Sequence, residues 1–152
     1  MKAFRIAGGA HPVFDPTGAE RHGGRWNSPG RRVIYAGESF AIAMLERLVY
    51  TGIGRIPERD RYVEIAIPER VAVETVDPLR LPEWDDPGHG AARAFGDRWH
   101  DEARTAVLLV PSAVTRIDRN LVINASHRDF AAIAASAERA VVWNRRLFAR
   151  GG

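Results

Sequence analysis

Two charged residues sit where their surroundings demand an explanation. Glu46 interrupts SFAIAMLERLVY, a run that is otherwise almost wholly apolar. At helical spacing it shares a stripe with Ile42, Leu45 and Val49, while Phe40, Met44 and Leu48 cover the adjacent face. A helix apolar nearly all round is normally buried. A buried carboxylate must be paired, hydrogen-bonded or protonated, because an unpaired one is too costly. Two placements meet that demand. Glu46 lies at a helix edge beside Arg47 and reaches water, or it lines a partly dry cleft and faces a cationic or electron-deficient centre.

Arg25 is the second. It stands in GGRWNSPGRR, where Gly23, Gly24, Asn27, Pro29 and Gly30 demand loop geometry and Trp26 can anchor the loop on a core. A rigid loop holding an arginine suits bidentate recognition of phosphate or carboxylate, although a surface arginine on a turn has the same sequence. Tyr35 ends the next strand-like run, as a core aromatic or as a ring and hydroxyl turned to a ligand. Ser112 follows Pro111 after VLLV. The proline breaks a central-looking strand, leaving Ser112 at a bulge or with its hydroxyl in a cleft.

These residues need elements to hold them. A short strand is expected near Phe4–Ile6, and RRVIYAG reads as a strand ended by Gly37. SFAIAMLERLVYTG reads as a helix with Ser39 as N-cap and Gly52 as stop. RYVEIAIP alternates, with Val63, Ile65 and Ile67 on one side and Tyr62 and Glu64 on the other. RVAVETVD is a second such run, and PLRLPEWDDPGHG a turn-forming loop. AARAFGDRWHDEAR fits a helix whose inner face is Ala92, Phe95, Gly96, Trp99 and Ala103. TAVLLV and NLVIN are strands, and a last strand is expected over Ala140–Asn144. The mixture is α+β rather than a regular βαβ alternation.

The totals narrow the classes. With 152 residues the chain is read as one domain, 1–152, able to build a core without staples. It has no cysteine, which excludes disulfides, thiol catalysis and cysteine-ligated zinc. No secretory leader or membrane-spanning run is visible, so a cytoplasmic protein is expected. A net charge of +3 suits anionic partners, but the arginines are scattered rather than gathered into a nucleic-acid stripe. GGRWNSPGRR lacks the Gly-Lys-Ser/Thr ending of a P-loop, and TGIGRIPE lacks the third glycine of a dinucleotide fingerprint. There is no G-x-S-x-G elbow. His11, His22, His89, His100 and His127 show no metal-ligand spacing.

In combination, GGRWNSPGRRVIYAGESFAIAMLERLVY, GDRW, VPSAVTRIDRNLVINASH and RRLF resemble the RES domain family, named for arginine, glutamate and serine, over about Phe4 to Phe148. By that resemblance the family's arginine falls on Arg25, its tyrosine on Tyr35, its glutamate on Glu46 and its serine on Ser112. Asn120, Asn124 and His127 match later polar positions, and Arg146 matches the arginine of a closing segment. Ala125 and Arg128 stand where the family often has proline, and Asn144 where it often has aspartate.

The resemblance implies an ADP-ribosyltransferase-like α+β fold, with mixed and antiparallel sheets and flanking helices around an NAD cleft. It implies the toxin of a bacterial toxin–antitoxin pair that splits the nicotinamide–ribose bond, with NAD as substrate and no metal. The expected partner is an Xre-type antitoxin protein, with DNA met only through it; a homodimer is common in that family. Glu46 would stabilise the positive ribose, Arg25 would hold the pyrophosphate, and Tyr35, Ser112 and Asn120 would contact the dinucleotide. Two alternatives stand beside it: a protein ADP-ribosyltransferase with the same cleft, and a non-enzymatic arginine-rich nucleic-acid-binding module.

Overall fold

The computed structural model describes residues 1–52 and 54–149; Ile53, within TGIGRIPE, lies outside them. Eight strands form one sheet: β1 (Lys2–Gly8), β2 (Val33–Gly37), β3 (Asp60–Ala66), β4 (Val73–Thr75), β5 (Val107–Pro111), β6 (Arg119–Asn124), β7 (Ala134–Ala135) and β8 (Arg139–Ala140). Their order is β4-β5-β6-β2-β1-β3-β7, with β8 also paired to β3. All neighbours are antiparallel except β4 and β5. Among the described residues three α-helices accompany the sheet: α1 (Thr17–His22), α2 (Phe40–Thr51) and α3 (Gly90–Asp101). The α+β class read from the pattern is the one observed; α1 was not foreseen.

Strand alternation sorts the sheet into two faces. Ile34, Ala36, Val63, Ile65, Val107, Leu109, Leu121 and Ile123 pack on the first, covered by Val13, Val71 and Ile133 from loops and by Phe130 and Ala132 from a 3₁₀ turn rather than by an α-helix. On the second face lie two separate apolar clusters. One gathers Trp26, Val33, Trp84, Ala92, Trp99, Leu108, Val110 and Val122 under α3. The other gathers Ile6, Ala43, Leu48, Val141 and Trp143, with Phe4, Phe40 and Tyr62, under α2. The first cluster reaches Tyr35 on β2, and the second reaches Phe4, which pairs with Gly37 on the same strand. The seam between them therefore falls at Gly37 and at Asn120, the residue paired with Gly37 on β6.

Helix α2 begins and ends where expected. The Ser39 hydroxyl accepts from the Ile42 N–H at 3.2 Å, and Gly52 ends the helix with φ 78°. A Cβ on Gly37 would lie 2.6 Å from Ile42 Cγ2 and 2.9 Å from Ala43 N, so only glycine lets this helix come down onto β2. The helix is less buried than its composition predicts. Ile42, Ala43 and Leu48 are buried, but Leu45, Val49 and Tyr50 are 44%, 60% and 84% exposed. Glu46 sits on the edge between those stripes.

Helix α3 presses its middle against the Arg25 loop. A Cβ on Gly96 would overlap the Trp26 carbonyl oxygen, which accounts for a glycine at a position where it otherwise costs helix stability. Ala103 was expected on this inner face; it falls beyond the helix end with φ 48°. The expected strand over Ala140–Asn144 also fails. Its ladder stops at Ala140 because β3 begins at Asp60, whose carbonyl takes the Val141 N–H at 3.0 Å. Alternation persists without a partner: Val141 and Trp143 are buried and Val142 is exposed.

Candidate functional site

The pairing of β6 between β2 and β5 sets Asn120 opposite both Gly37 and Val110, on the face that α2 covers. One turn past Ile42, α2 lowers Glu46 onto this place. Glu46 Oε1 accepts from the Ser112 hydroxyl at 2.8 Å and from Asn120 Nδ2 at 2.6 Å. Both donors meet the same oxygen. Among the described residues Glu46 Oε2 accepts no hydrogen bond, and it is not among the buried, partnerless atoms.

Ser112 is fully buried. Its oxygen also accepts the N–H groups of Val114 at 3.1 Å and Thr115 at 3.2 Å, while its own N–H bonds Asp118 O at 2.9 Å. Pro111 thus ends β5 and starts a turn that the serine hydroxyl caps. That hydroxyl has one proton, and Glu46 receives it. Ser112 accordingly acts through Glu46 and presents no surface of its own. Asn120 Oδ1 is buried without a partner, so the amide is spent on one side and unsatisfied on the other.

The Arg25 loop stands over the neighbouring position of the same strand face. Tyr35 is two residues from Gly37, about 7 Å along β2. Its oxygen accepts the Trp26 N–H at 3.0 Å, and its hydroxyl donates to Asn27 Oδ1 at 2.7 Å. Burial pushes the phenol well above its ordinary pKa, so it stays protonated. Tyr35 holds the loop from beneath, and its one O–H is committed there. Asn27, fully buried, donates to Ala19 O at 2.9 Å, and Gly24 N–H bonds Asn27 O at 2.9 Å. Trp26 stacks on Trp84 with 6.5 Å between ring centres. From α3, Asp97 accepts Ser28 N at 2.8 Å and Ser28 Oγ at 2.6 Å, and Arg93 Nε donates to Gly24 O at 3.0 Å. Arg25 itself is half-buried and donates from Nη1 to Trp84 O at 3.3 Å and Asp86 O at 3.2 Å.

Arg25 and Glu46 make no ion pair with each other among the described residues, yet both stand over the second face of β2. The other residues lie elsewhere. Asn124 is four residues along β6 from Asn120, about 13 Å away, and bonds His100 O at 3.4 Å and Ser126 N at 2.9 Å. His127 caps a 3₁₀ turn, its Nδ1 accepting the Asp129 N–H at 3.0 Å. Arg146 is exposed and bonds Asn144 Oδ1 at 3.4 Å. Among the described residues no cluster of three or more His, Asp or Glu could hold a metal. Sequence reasoning missed Asn27, Arg93 and Asp97 as supports. Asn27 and Asp97 stood inside the R-W-N and GDRW motifs, which were the available signal.

The RES domain model matches residues 2–144. The chain belongs to the RES domain family. A relative named Prs ADP-ribosylating toxin, from Sphingobium, is 38% identical over 135 residues, covering 86% of this chain and 84% of the relative. A protein named Toxin Res, from Photorhabdus laumondii, is 32% identical over 120 residues, covering 78% and 76% of the two chains. In fold, this RES chain is similar to a chain of the crystal structure of the M. tuberculosis MbcT–MbcA toxin–antitoxin complex. The TM-score is 0.73 over 92% of this chain and 83% of that one, at 20% identity. Within the RES chain, the glutamate and serine are bonded directly, and the arginine belongs to a separately braced loop.

Proposed function

We propose that the chain is a toxin that cleaves NAD at the nicotinamide–ribose bond. The supporting observation is the one-sided restraint of Glu46: two donors hold Oε1, and Oε2 is left for a ligand. In the cleavage, the C–N bond breaks with its electron pair leaving on nicotinamide, which departs as a neutral molecule. Positive charge develops on the ribose carbon and ring oxygen. A carboxylate already fixed beside that charge stabilises it without reorganising, and the same oxygen can accept from a ribose hydroxyl. An oxygen of water or phosphate then adds to the ribose carbon and gives up its proton. Arg25 holds the anionic pyrophosphate, with Tyr35 and Asn27 fixing its loop. Ser112 and Asn120 orient Glu46. The partner in this reading is an Xre-type antitoxin protein in the cytoplasm, with the chain meeting DNA only through it.

A second reading is transfer of the ADP-ribosyl group to a protein, favoured by the name of the Sphingobium relative. Incubation with NAD, with and without phosphate, followed by mass spectrometry of small molecules and protein, decides between them. Free nicotinamide with ADP-ribose or its phosphate is the expected result; a mass increase on protein supports transfer. Intact NAD with no modified protein overturns both.

A further inference from the structure

Most arginines whose contacts are described here are paired with carboxylates, including Arg31, Arg47, Arg61, Arg104, Arg116 and Arg119. Among the described residues three half-buried arginines are not: Arg5, which bridges Val13 O and Tyr35 O, and Arg25 and Arg93, which stand side by side. Beside Arg25 and Arg93 a third basic residue, His89, stands one turn before Arg93, and its backbone shares their hydrogen-bonding. Arg25 Nη1 and the backbone N–H of His89 share one acceptor, Asp86 O, at 3.2 and 2.9 Å. Arg93 Nε holds Gly24 O, the residue before Arg25, at 3.0 Å, and Arg93 N bonds His89 O at 2.8 Å. The guanidinium bonds of Arg25 and Arg93 end on neutral carbonyl oxygens, so those two charges are positioned without being neutralised. The nearby carboxylates are mostly occupied: Asp85 by Arg116, and Asp97 by Ser28 and Arg31. Asp86 is the remaining one that faces His89.

We propose that Arg25, His89 and Arg93 together form a pyrophosphate-binding cluster at the start of α3, and that it holds the dinucleotide by its phosphates. This rests on the NAD reading above and adds two residues to it. Two guanidiniums and an imidazole match a dianionic group with several acceptor oxygens better than one arginine does. Trp26, the residue after Arg25, donates its N–H to the Tyr35 oxygen, and Arg93 holds Gly24, the residue before it, which places the cluster over the strand position next to Gly37 and the Glu46 carboxylate. Burial, then Arg25 and Arg93, hold the His89 imidazole below its ordinary pKa, while Asp86 opposes them weakly. These neighbours favour the neutral imidazole. An arriving anion favours the imidazolium, so binding takes up a proton and strengthens as pH falls.

The test uses inorganic pyrophosphate as probe and tryptophan fluorescence of the whole chain as readout, since Arg25 bonds the backbone of Trp84 and Trp84 stacks on Trp26. Arg93→Gln should weaken pyrophosphate binding about tenfold. His89→Asn, chosen because asparagine tolerates the φ of 61° at this position, should weaken it about threefold. The difference between wild type and His89→Asn cancels the titration of pyrophosphate itself, and it should grow from pH 8 to about pH 6. Arg93→Lys, which keeps the charge, controls for loss of the Gly24 bond and should bind better than Arg93→Gln. Equal affinity in wild type, His89→Asn and Arg93→Gln, with all of them folded by circular dichroism, overturns the proposal. Weakened pyrophosphate binding in the variants, while the wild type leaves NAD intact, upholds the anion cluster and overturns the NAD-cleaving reading instead.

Discussion

The two walls of the candidate cleft are built by different means. Glu46 is held by two side chains from two elements, at 2.8 and 2.6 Å, both on one oxygen. Arg25 is held by two backbone carbonyls at 3.3 and 3.2 Å, contributed by a loop that carries positive φ at Glu83 and His89. Short charge-assisted bonds from a strand and a capped turn fix an orientation; longer bonds from a loop leave a guanidinium able to adjust. In the proposed reading, that division suits a carboxylate that must be in place before charge appears, and an arginine that must follow the phosphates of a mobile ligand.

The sharpest way to break this comparison is at the carboxylate. In the proposed reading, Glu46→Gln should cut NAD turnover by about 10² to 10³ while leaving KM close to wild type, measured by nicotinamide release. Comparable turnover in this variant would remove the basis for the rigid wall. Asn120→Asp comes next. It places a second carboxylate beside Glu46, so one of the two should hold its proton to higher pH and the acidic limb of the rate–pH profile should move upward. An unmoved profile would show that the two groups part in solution.

At the other wall, Gly96→Ala forces a methyl group into the Trp26 carbonyl and should lower stability by about 1–3 kcal/mol in a denaturant titration. Tyr35→Phe removes one bond to Trp26 and one to Asn27 inside a buried site, for about 1–3 kcal/mol, and should raise KM more than it lowers kcat. The raised phenol pKa adds a pH signature. The stability it lends is complete below the unfolded value of about 10 and drains away as pH rises towards the folded one. Alkaline melting curves of wild type and Tyr35→Phe should therefore converge.

Local chemistry was readable in the sequence wherever a few neighbouring residues decide it. Ser39 and Gly52 bracket α2 as expected, and Val63, Ile65 and Ile67 face inward. The residue types of the site were also visible, and the family resemblance ordered them. What could not be read is which of them touch. The meeting of Glu46, Ser112 and Asn120 depends on β6 pairing with both β2 and β5, a register set between residues far apart in the chain. Helical spacing alone could not show that Leu45, Val49 and Tyr50 face outward, because only the position of the sheet decides which side of α2 is covered. Asn124 and His127 matched the same polar pattern as Asn120, yet strand length carries them away from the cleft.

The joint between β1 and β2 has a consequence for cooperativity. Among the described residues those strands pair at Phe4 and Gly37 alone, and beyond that point Arg5 of β1 reaches across to Tyr35 O at 2.8 Å and to Val13 O at 2.7 Å. One side-chain bridge thus replaces the ladder between β4-β5-β6-β2 and β1-β3-β7. Such a joint divides the sheet into two units of amide protection. In hydrogen–deuterium exchange, the β5–β6–β2 amides should open as one group and the β1–β3 amides as another. Arg5→Met should widen the gap between their opening free energies, with the candidate cleft straddling the boundary.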